Sequence, residues 1–371
     1  MKSIDQSNRI GFFIPALSGG GAERVFLNLV EYYASKGIDV VLIVNKKEGA
    51  LSSCLPSDIT LIELNARNIL LSFYSLSKLI RKLRLTHLVT TVRGANITAA
   101  FSRIFFNDYL WVLREANTFT NVKFEKGLKE KLISYSCKYL YFFCDKLIAN
   151  SNDTLDDINK FCIGNIVSKA KVIPNPVFWE KKHNPPSFEV RKISKVSKLV
   201  SVGRLEKQKN FFYQIDLIKK LKQKGHDVTL DIYGEGKLFN DLSQYIEQQG
   251  CTDYIAIKEF DVKLMDKIHQ YDCFILSSLW EGFGNVIIES MSNGLKLFIS
   301  DVPGGPRYID FSGLDLVEKY KLDDDIECNV ELLINLILKE KSQEEFNFLL
   351  NRAKLYSVEN VALEYLEAIV N

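Results

Sequence analysis

Residues 273–300 read CFILSSLWEGFGNVIIESMSNGLKLFIS. An apolar run enters a turn punctuated by Gly282 and Gly284, a short helix is expected over Asn285–Asn293, Gly294 closes it, and a second apolar run begins. Two strands joined through a helix are parallel neighbours, since a hairpin needs only a tight turn. Strands of a parallel sheet are covered on both faces and read as continuous apolar runs, as these do. The segment also carries Glu281 and Glu289, eight positions apart. That spacing is just over two helical turns, so with a helix starting near Gly284 the second carboxylate points along the direction of the first. One acid then stands in the turn and the other on the helix behind it.

The same alternation extends in both directions. Towards the N-terminus, RIGFFIP (9–15), DVVLIV (39–44), TLIEL (60–64), HLVTTV (87–92), YLWVLR (109–114) and KLIAN (146–150) are strand candidates. Helical patterns fall over Val25–Ser35, over Phe73, Leu76, Ile80 and Leu83, and over Phe124–Phe143. A proline- and lysine-rich stretch interrupts them at VIPNPVFWEKKHNPPSFEVRKISKVSK, after which KLVSVG, VTLDIYG, YIAIK, DCFILS and KLFIS resume the pattern. The expected fold is therefore α/β, two doubly wound Rossmann-like domains. The expected divisions are a first domain at 1–178, a linker at 179–197, a second domain at 198–355 and a C-terminal helix at 356–371, read as one that packs back on the first domain.

Composition agrees with two ordinary globular domains: 371 residues, 47% hydrophobic and 25% charged. The N-terminus lacks the apolar segment of a signal peptide and no run is long enough to span a bilayer, so a cytoplasmic location is expected. The seven cysteines show no zinc spacing, and the four histidines are scattered. Net charge is +2 overall but +8 up to Phe178 and −6 beyond it. The asymmetry suits either attraction between the domains or an anionic partner of the first, a membrane surface or a phosphate-bearing substrate, with nucleic acid disfavoured.

Ligands of open α/β sheets bind beyond the carboxyl ends of the strands, so function is sought in the strand-to-helix turns. In SGGGAER (18–24) three glycines let backbone N–H groups approach an anion at a helix start. A dinucleotide site is disfavoured, because the spacing is not GxGxxG and the second strand ends in Asn45 and Lys46 rather than an acid. In SVGRLEKQKN (201–210), Arg204 and Lys209 offer two cations suited to a diphosphate without any metal. The one D-x-D, Asp323–Asp325, reads as a solvated acidic loop.

Taken together the chain resembles the family 4 retaining glycosyltransferases of the GT-B fold, and the likeness covers nearly its whole length. It rests on SGGGAERV, VGRL followed by Lys209, IYGEG (232–236), EGFGNVIIE with its two acids, and DVPGGP (301–306). The resemblance implies two domains facing each other across a cleft and a nucleotide diphosphate sugar, UDP-linked, on the second. Arg204 and Lys209 would hold the donor diphosphate, Glu281 would orient the transferred sugar, and Glu289 would bind the ribose. The backbone of Gly282, Phe283 and Gly284 would reach the sugar hydroxyls. Gly20 and Gly21 would let their loop close on phosphate or acceptor. Asn96, Glu115 and Asn117 match a subset with the GGGAERV loop. Ala116, where that subset has Arg, and Tyr308, where a Glu is expected, depart from it.

The activity implied is retaining transfer of a hexose or N-acetylhexosamine to a saccharide acceptor, lipid-linked, in surface polysaccharide synthesis. No cofactor or metal is expected. The alternatives are a sugar-phosphate isomerase or phosphorylase of similar build and a non-catalytic sugar-nucleotide binder. A further question is membrane contact. The segments 123–146, with lysines and a dense aromatic end, and 78–84, KLIRKLR, suit either an anionic lipid surface on the cytoplasmic face of the inner membrane or plain packing of helices on the sheet.

Overall fold

The computed structural model describes residues 8–56, 58–119, 127–188, 196–261 and 263–371. They fall into two units, the chain up to Trp179 with Tyr356–Asn371, and Glu180–Leu355. Residues 189–195 of the expected linker and 124–126 of the helix expected over Phe124–Phe143 lie outside the described residues.

Unit 1 holds strands β1 (Ile10–Ile14), β2 (Val40–Val44), β3 (Thr60–Glu63), β4 (His87–Thr91), β5 (Leu110–Glu115), β6 (Lys146–Ala149) and β7 (Ala170–Val172). Its helices are α1 (Gly21–Ser35), α2 (Phe73–Leu83), α3 (Arg93–Ser102), α4 (Leu128–Leu140) and α5 (Asn152–Phe161). Unit 2 holds β8 (Ser197–Val202), β9 (Val228–Tyr233), β10 (Ile255–Lys258), β11 (Cys273–Leu276), β12 (Lys296–Ser300) and β13 (Val317–Tyr320). Between these strands and after them run α6 (Phe211–Gln223), α7 (Phe239–Gln248), α8 (Leu264–Lys267), α9 (Asn285–Ser292), α10 (Ile326–Leu338) and α11 (Gln343–Lys354). The last helix, α12 (Val358–Val370), belongs to unit 1.

Both sheets are parallel throughout, in the orders β3-β2-β1-β4-β5-β6-β7 and β10-β9-β8-β11-β12-β13. Each is a doubly wound arrangement whose direction reverses between its first and fourth strands. Side chains along β1 and β2 alternate between two cores. Phe12, Ile14, Leu42 and Val44 meet α1 and α12, whereas Phe13, Val41 and Ile43 meet the layer of α2, α3 and α4. In unit 2, β8 and β9 pack on α6, α7 and α10.

Two strands, β7 and β13, escape the sequence reading. Both lie at sheet edges, where β7 is only three residues long and β13 carries Glu318 and Lys319, so neither presents an apolar run. The fourth helix is shorter than expected. It ends at Leu140, and Tyr141–Phe143 continue as a single 3₁₀ turn.

Candidate active site

The topological switch of unit 2 lies between β8 and β11, and the turns leaving these strands carry the predicted residues. After β8 the chain runs through Gly203 and Arg204 into a 3₁₀ turn, Lys207–Lys209, and enters α6 from Asn210 in the left-handed region (φ 51°). After β11 it stays irregular from Ser277 to Gly284, and Gly284 (φ 84°) starts α9. Leu279 N–H donates to the Gln208 carbonyl (2.8 Å) and Gln208 Nε2 to the Trp280 carbonyl (2.8 Å), so the two turns are stitched together.

This stitching brings Lys209 and Glu281 into contact. Lys209 Nζ donates to Glu281 Oε1 at 2.6 Å, and Ser278 Oγ donates to the same oxygen at 2.5 Å. The side chains are 13% and 7% exposed, so the pair is largely withdrawn from water. The lysine stem lies across Gly203, where a Cβ would stand 2.9 Å from Lys209 Cε, so only glycine leaves it that path. Arg204 is placed differently. It is 69% exposed and its Nη1 is 3.7 Å from Glu206 Oε2, leaving the guanidinium accessible at the same sheet edge.

Buried polar groups behind the pair hold the lysine turn. Ser277 Oγ lies 2.9 Å from the carbonyls of both Lys209 and Asn210, and Gln214 Nε2 donates to Ser277 Oγ (2.9 Å) and Ser201 Oγ (3.0 Å). Gln214, Ser277 and Ser278 were not singled out from the sequence. Isolated polar residues inside apolar runs are the only signal they leave.

Glu281 is not on the helix, so the two-turn spacing to Glu289 does not set its direction; Lys209 and Ser278 do. Glu289 sits on the buried part of α9 at 8% exposure, and its carbonyl accepts from Ser292 Oγ and Asn293 Nδ2, both at 2.9 Å. Phe283 is buried at 4%, which leaves the backbone of Gly282–Gly284 as the part able to meet a ligand. The DVPGGP loop after β12 lies directly against this turn: Glu281 N–H donates to the Pro303 carbonyl (3.1 Å) and Gly305 N–H to the Gly282 carbonyl (2.8 Å). Gly304 makes the approach feasible, since its φ is 114° and a Cβ there would stand 1.9 Å from the Glu281 carbonyl oxygen. Tyr308 is exposed.

In unit 1, Gly20 precedes α1 and Gly21 is its first residue. The chain's own Glu23 folds over this helix start, close enough that a Cβ on Gly20 would stand 2.5 Å from its Oε2. An incoming phosphate would therefore meet a carboxylate at the position where the helix dipole favours an anion. Asn96 and Glu115 lie below the surface, at 0% and 2% exposure. Asn96 Oδ1 accepts from Thr90 Oγ1 (2.7 Å) and its Nδ2 donates to Tyr141 OH (2.9 Å), which donates onward to Glu115 Oε2 (2.6 Å). Burial pushes the Tyr141 hydroxyl well above its ordinary pKa, keeping it a donor. Glu115 Oε1 accepts from the backbone N–H of Ala116 and Asn117, both at 3.0 Å. These two residues shape the edge of β5, and Asn117, exposed, is the member of the set that faces solvent. The guanidinium beside Glu115 is that of Arg93, with Nε 4.0 Å from Oε2 and Nη2 donating to the Thr118 carbonyl (2.8 Å). Arg93 follows Val92, whose φ of 71° is unusual for a β-branched residue and lies at the switch between β1 and β4.

No group of three or more His, Cys, Asp or Glu able to hold a metal is found among the described residues. Asp325, from the D-x-D, caps α10 by accepting from Glu327 N–H at 3.1 Å.

Residues 19–178 match the family model described as Glycosyltransferase Family 4, and residues 185–351 the model described as Glycosyl transferases group 1. A UDP-Gal:alpha-D-GlcNAc-diphosphoundecaprenol alpha-1,3-galactosyltransferase from Escherichia coli is 26% identical, with 100% of both chains aligned. An N-acetylgalactosamine-N,N'-diacetylbacillosaminyl-diphospho-undecaprenol 4-alpha-N-acetylgalactosaminyltransferase from Campylobacter jejuni is also 26% identical, over 81% of this chain and 82% of its own. Among solved structures, HepE from Anabaena in complex with UDP-glucose gives a TM-score of 0.78 at 17% identity, covering 97% of this chain and 98% of its own. WaaG, a glycosyltransferase involved in lipopolysaccharide biosynthesis, gives 0.73 at 15% identity, covering 98% and 100%. At these identities the structural likeness is one of fold.

Proposed function

From the premise that the chain is a family 4 glycosyltransferase with two Rossmann-like domains, we propose that it moves a hexose or N-acetylhexosamine from a UDP-linked donor, with retention of configuration, to a lipid-linked saccharide in surface polysaccharide synthesis. The observation that carries this reading is the Lys209–Glu281 pair, set with exposed Arg204 at the switch point of unit 2. Two relatives named for diphosphoundecaprenol-linked saccharides support the acceptor class, and the UDP-glucose complex of a neighbour in fold supports the donor.

In this proposal Arg204 and Lys209 face the donor diphosphate and stabilise the charge that develops as the bond from the anomeric carbon to the phosphate oxygen breaks. Lys209 turns from Glu281 towards the phosphate, and Glu281, still held by Ser278 through Oε1, accepts from a sugar hydroxyl. Glu289 binds the ribose hydroxyls. The acceptor oxygen bonds to the anomeric carbon on the face the diphosphate leaves, and its proton passes to a leaving phosphate oxygen. Because the two cations supply the stabilisation, the reaction proceeds without a metal. In unit 1, Asn117 and the Gly20–Gly21 loop are offered to the acceptor, and Asn96 and Glu115 act from beneath by holding the backbone.

The test is a screen of UDP-sugars by thermal shift, followed by transfer of the best donor to a lipid diphosphate saccharide, with the product anomer read by NMR. A shift with one UDP-sugar, an unchanged anomer and activity in excess chelator are expected. No shift with any UDP-sugar, or an inverted product, overturns the proposal.

A further inference from the structure

Arg93 enters α3 against two local preferences. Val92 before it has φ 71° and ψ 128°, a conformation disfavoured for a β-branched residue and kept only where the surroundings impose it. Arg93 is then the first residue of the helix, where the dipole disfavours a cation. Nothing in α3 itself repays either, so the reason lies in what the side chain touches.

The guanidinium is 15% exposed and bridges two elements. Its Nη1 donates to Ser134 Oγ on α4 at 2.6 Å, which fixes one arm of the fork. The rest of the group meets the turn that leaves β5. Nη2 donates to the Thr118 carbonyl (2.8 Å), Nε lies 4.0 Å from Glu115 Oε2, and the central carbon lies 4.3 Å from the centre of the Phe119 ring. The same turn is tied from its other sides. Glu115 Oε1 takes the N–H groups of Ala116 and Asn117, Asn150 Nδ2 donates to the Ala116 carbonyl at 3.0 Å, and Asp157 accepts from Phe119 N–H. Backbone at every position from Ala116 to Phe119 is thus held, while Asn117 itself is exposed. A planar fork can reach a hydroxyl, a carbonyl and a carboxylate together while lying over a ring; an ammonium cannot.

We propose that Arg93 is a positioning residue for the acceptor: by clamping the turn after β5 it holds the Asn117 amide in place to read a hydroxyl of the acceptor saccharide. An amide both donates and accepts, which suits a sugar hydroxyl. Arg93 acts through the turn and not on the reacting atoms. The inference rests on the placing of the acceptor on unit 1 proposed above.

Steady-state kinetics with the UDP-sugar and a lipid diphosphate saccharide test it on two variants. Arg93→Met keeps a stem over Phe119 and removes the cation, and Arg93→Lys keeps a cation and removes the fork. Arg93→Met should lower the melting temperature and Arg93→Lys should restore it, because an ammonium still stands beside buried Glu115. Both should raise KM for the acceptor about tenfold and leave KM for the UDP-sugar unchanged. If the residue only supports the fold, Arg93→Lys recovers the acceptor KM along with the melting temperature, and that result overturns the proposal. An equal rise in both KM values does the same. Should Arg93→Lys fail to fold, Ser134→Ala takes one partner from the fork and should raise the acceptor KM alone; an unchanged value overturns the proposal. Amide hydrogen exchange over residues 115–119 gives a readout that needs no transfer: it should quicken in Arg93→Lys, and unaltered exchange shows that Arg93 does not hold the turn. Wild-type protein that transfers no sugar counts against the proposed function, and exchange then still decides whether the clamp exists.

Discussion

Arg204 and Lys209 reach the same sheet edge with opposite degrees of exposure, and that difference separates their effects. Arg204 is 69% exposed with only a loose ion pair to Glu206, so Arg204→Ala should leave the melting temperature unchanged while lowering kcat on the order of 100- to 1000-fold. Near wild-type turnover would remove it from the site. Lys209 is different because its partner is buried. Lys209→Met leaves the Glu281 carboxylate withdrawn from water without its ammonium, at a cost of about 3 kcal/mol in urea unfolding, together with loss of transfer. Adding Glu281→Gln should recover most of the stability and none of the activity. If the double variant is no more stable than the single one, the pair is not coupled. The sequence placed both residues at a strand end but could not show that they touch. Contact depends on stitching through Gln208, Leu279 and Trp280, some 70 positions apart in the chain, and no local pattern encodes that pairing.

Among the elements, β4 carries a buried group that titrates. His87, 5% exposed, meets Thr86 Oγ1 at 2.9 Å through Nδ1, and its Nε2 has no hydrogen-bond partner among the described residues. Burial, with the Lys146 ammonium adding to it, lowers its pKa from 6.5 to about 4. Between those two values the unfolded chain binds a proton that the folded chain does not. The stability from this site is full above about pH 6.5 and is lost as pH falls through 4, to a total of at most about 3 kcal/mol. Unfolding measured from pH 7 to 4 should show that slope, and His87→Leu should flatten it; an unchanged slope would show that other groups carry the acid sensitivity. Elements such as β1, β2, β11 and β12 were legible because they are apolar on both faces. The edge strands β7 and β13 were not, since solvent permits Lys171, Glu318 and Lys319 there. On α4 the aromatic residues were visible, but which side of the helix they occupy depends on Ser134 and Cys137 facing inward, and hydropathy alone does not mark a serine as an inward position.

For the whole molecule, the decisive arrangement is that the chain leaves unit 1 after Trp179 and returns to it at Tyr356. The departing and returning segments lie side by side, with Val177 N–H donating to the Tyr356 carbonyl and Val358 N–H to the Phe178 carbonyl, both at 2.8 Å. The returning helix α12 then supplies Val358, Val361, Tyr365, Leu366 and Ile369 to the core beneath β1 and β2. Tyr365 OH accepts from Nε of Arg114, a fully buried guanidinium whose other partners, Thr91 Oγ1 and Asn175 Oδ1, are also neutral. Each large apolar side chain contributes roughly 2 kcal/mol by burial, and a whole domain is stable by only about 5 to 15 kcal/mol. Removal of residues 357–371 should therefore unfold unit 1 and spare unit 2, because the helix is part of the first core. Limited proteolysis should then leave a resistant fragment near 180–355 while the first 179 residues are digested, and far-ultraviolet circular dichroism should fall in proportion. A shortened chain with both units protected as in the full chain would show that α12 is dispensable. A milder change tests the same junction, since Tyr365→Phe takes one acceptor from a buried cation and should cost about 1 to 3 kcal/mol in the unfolding of unit 1 alone.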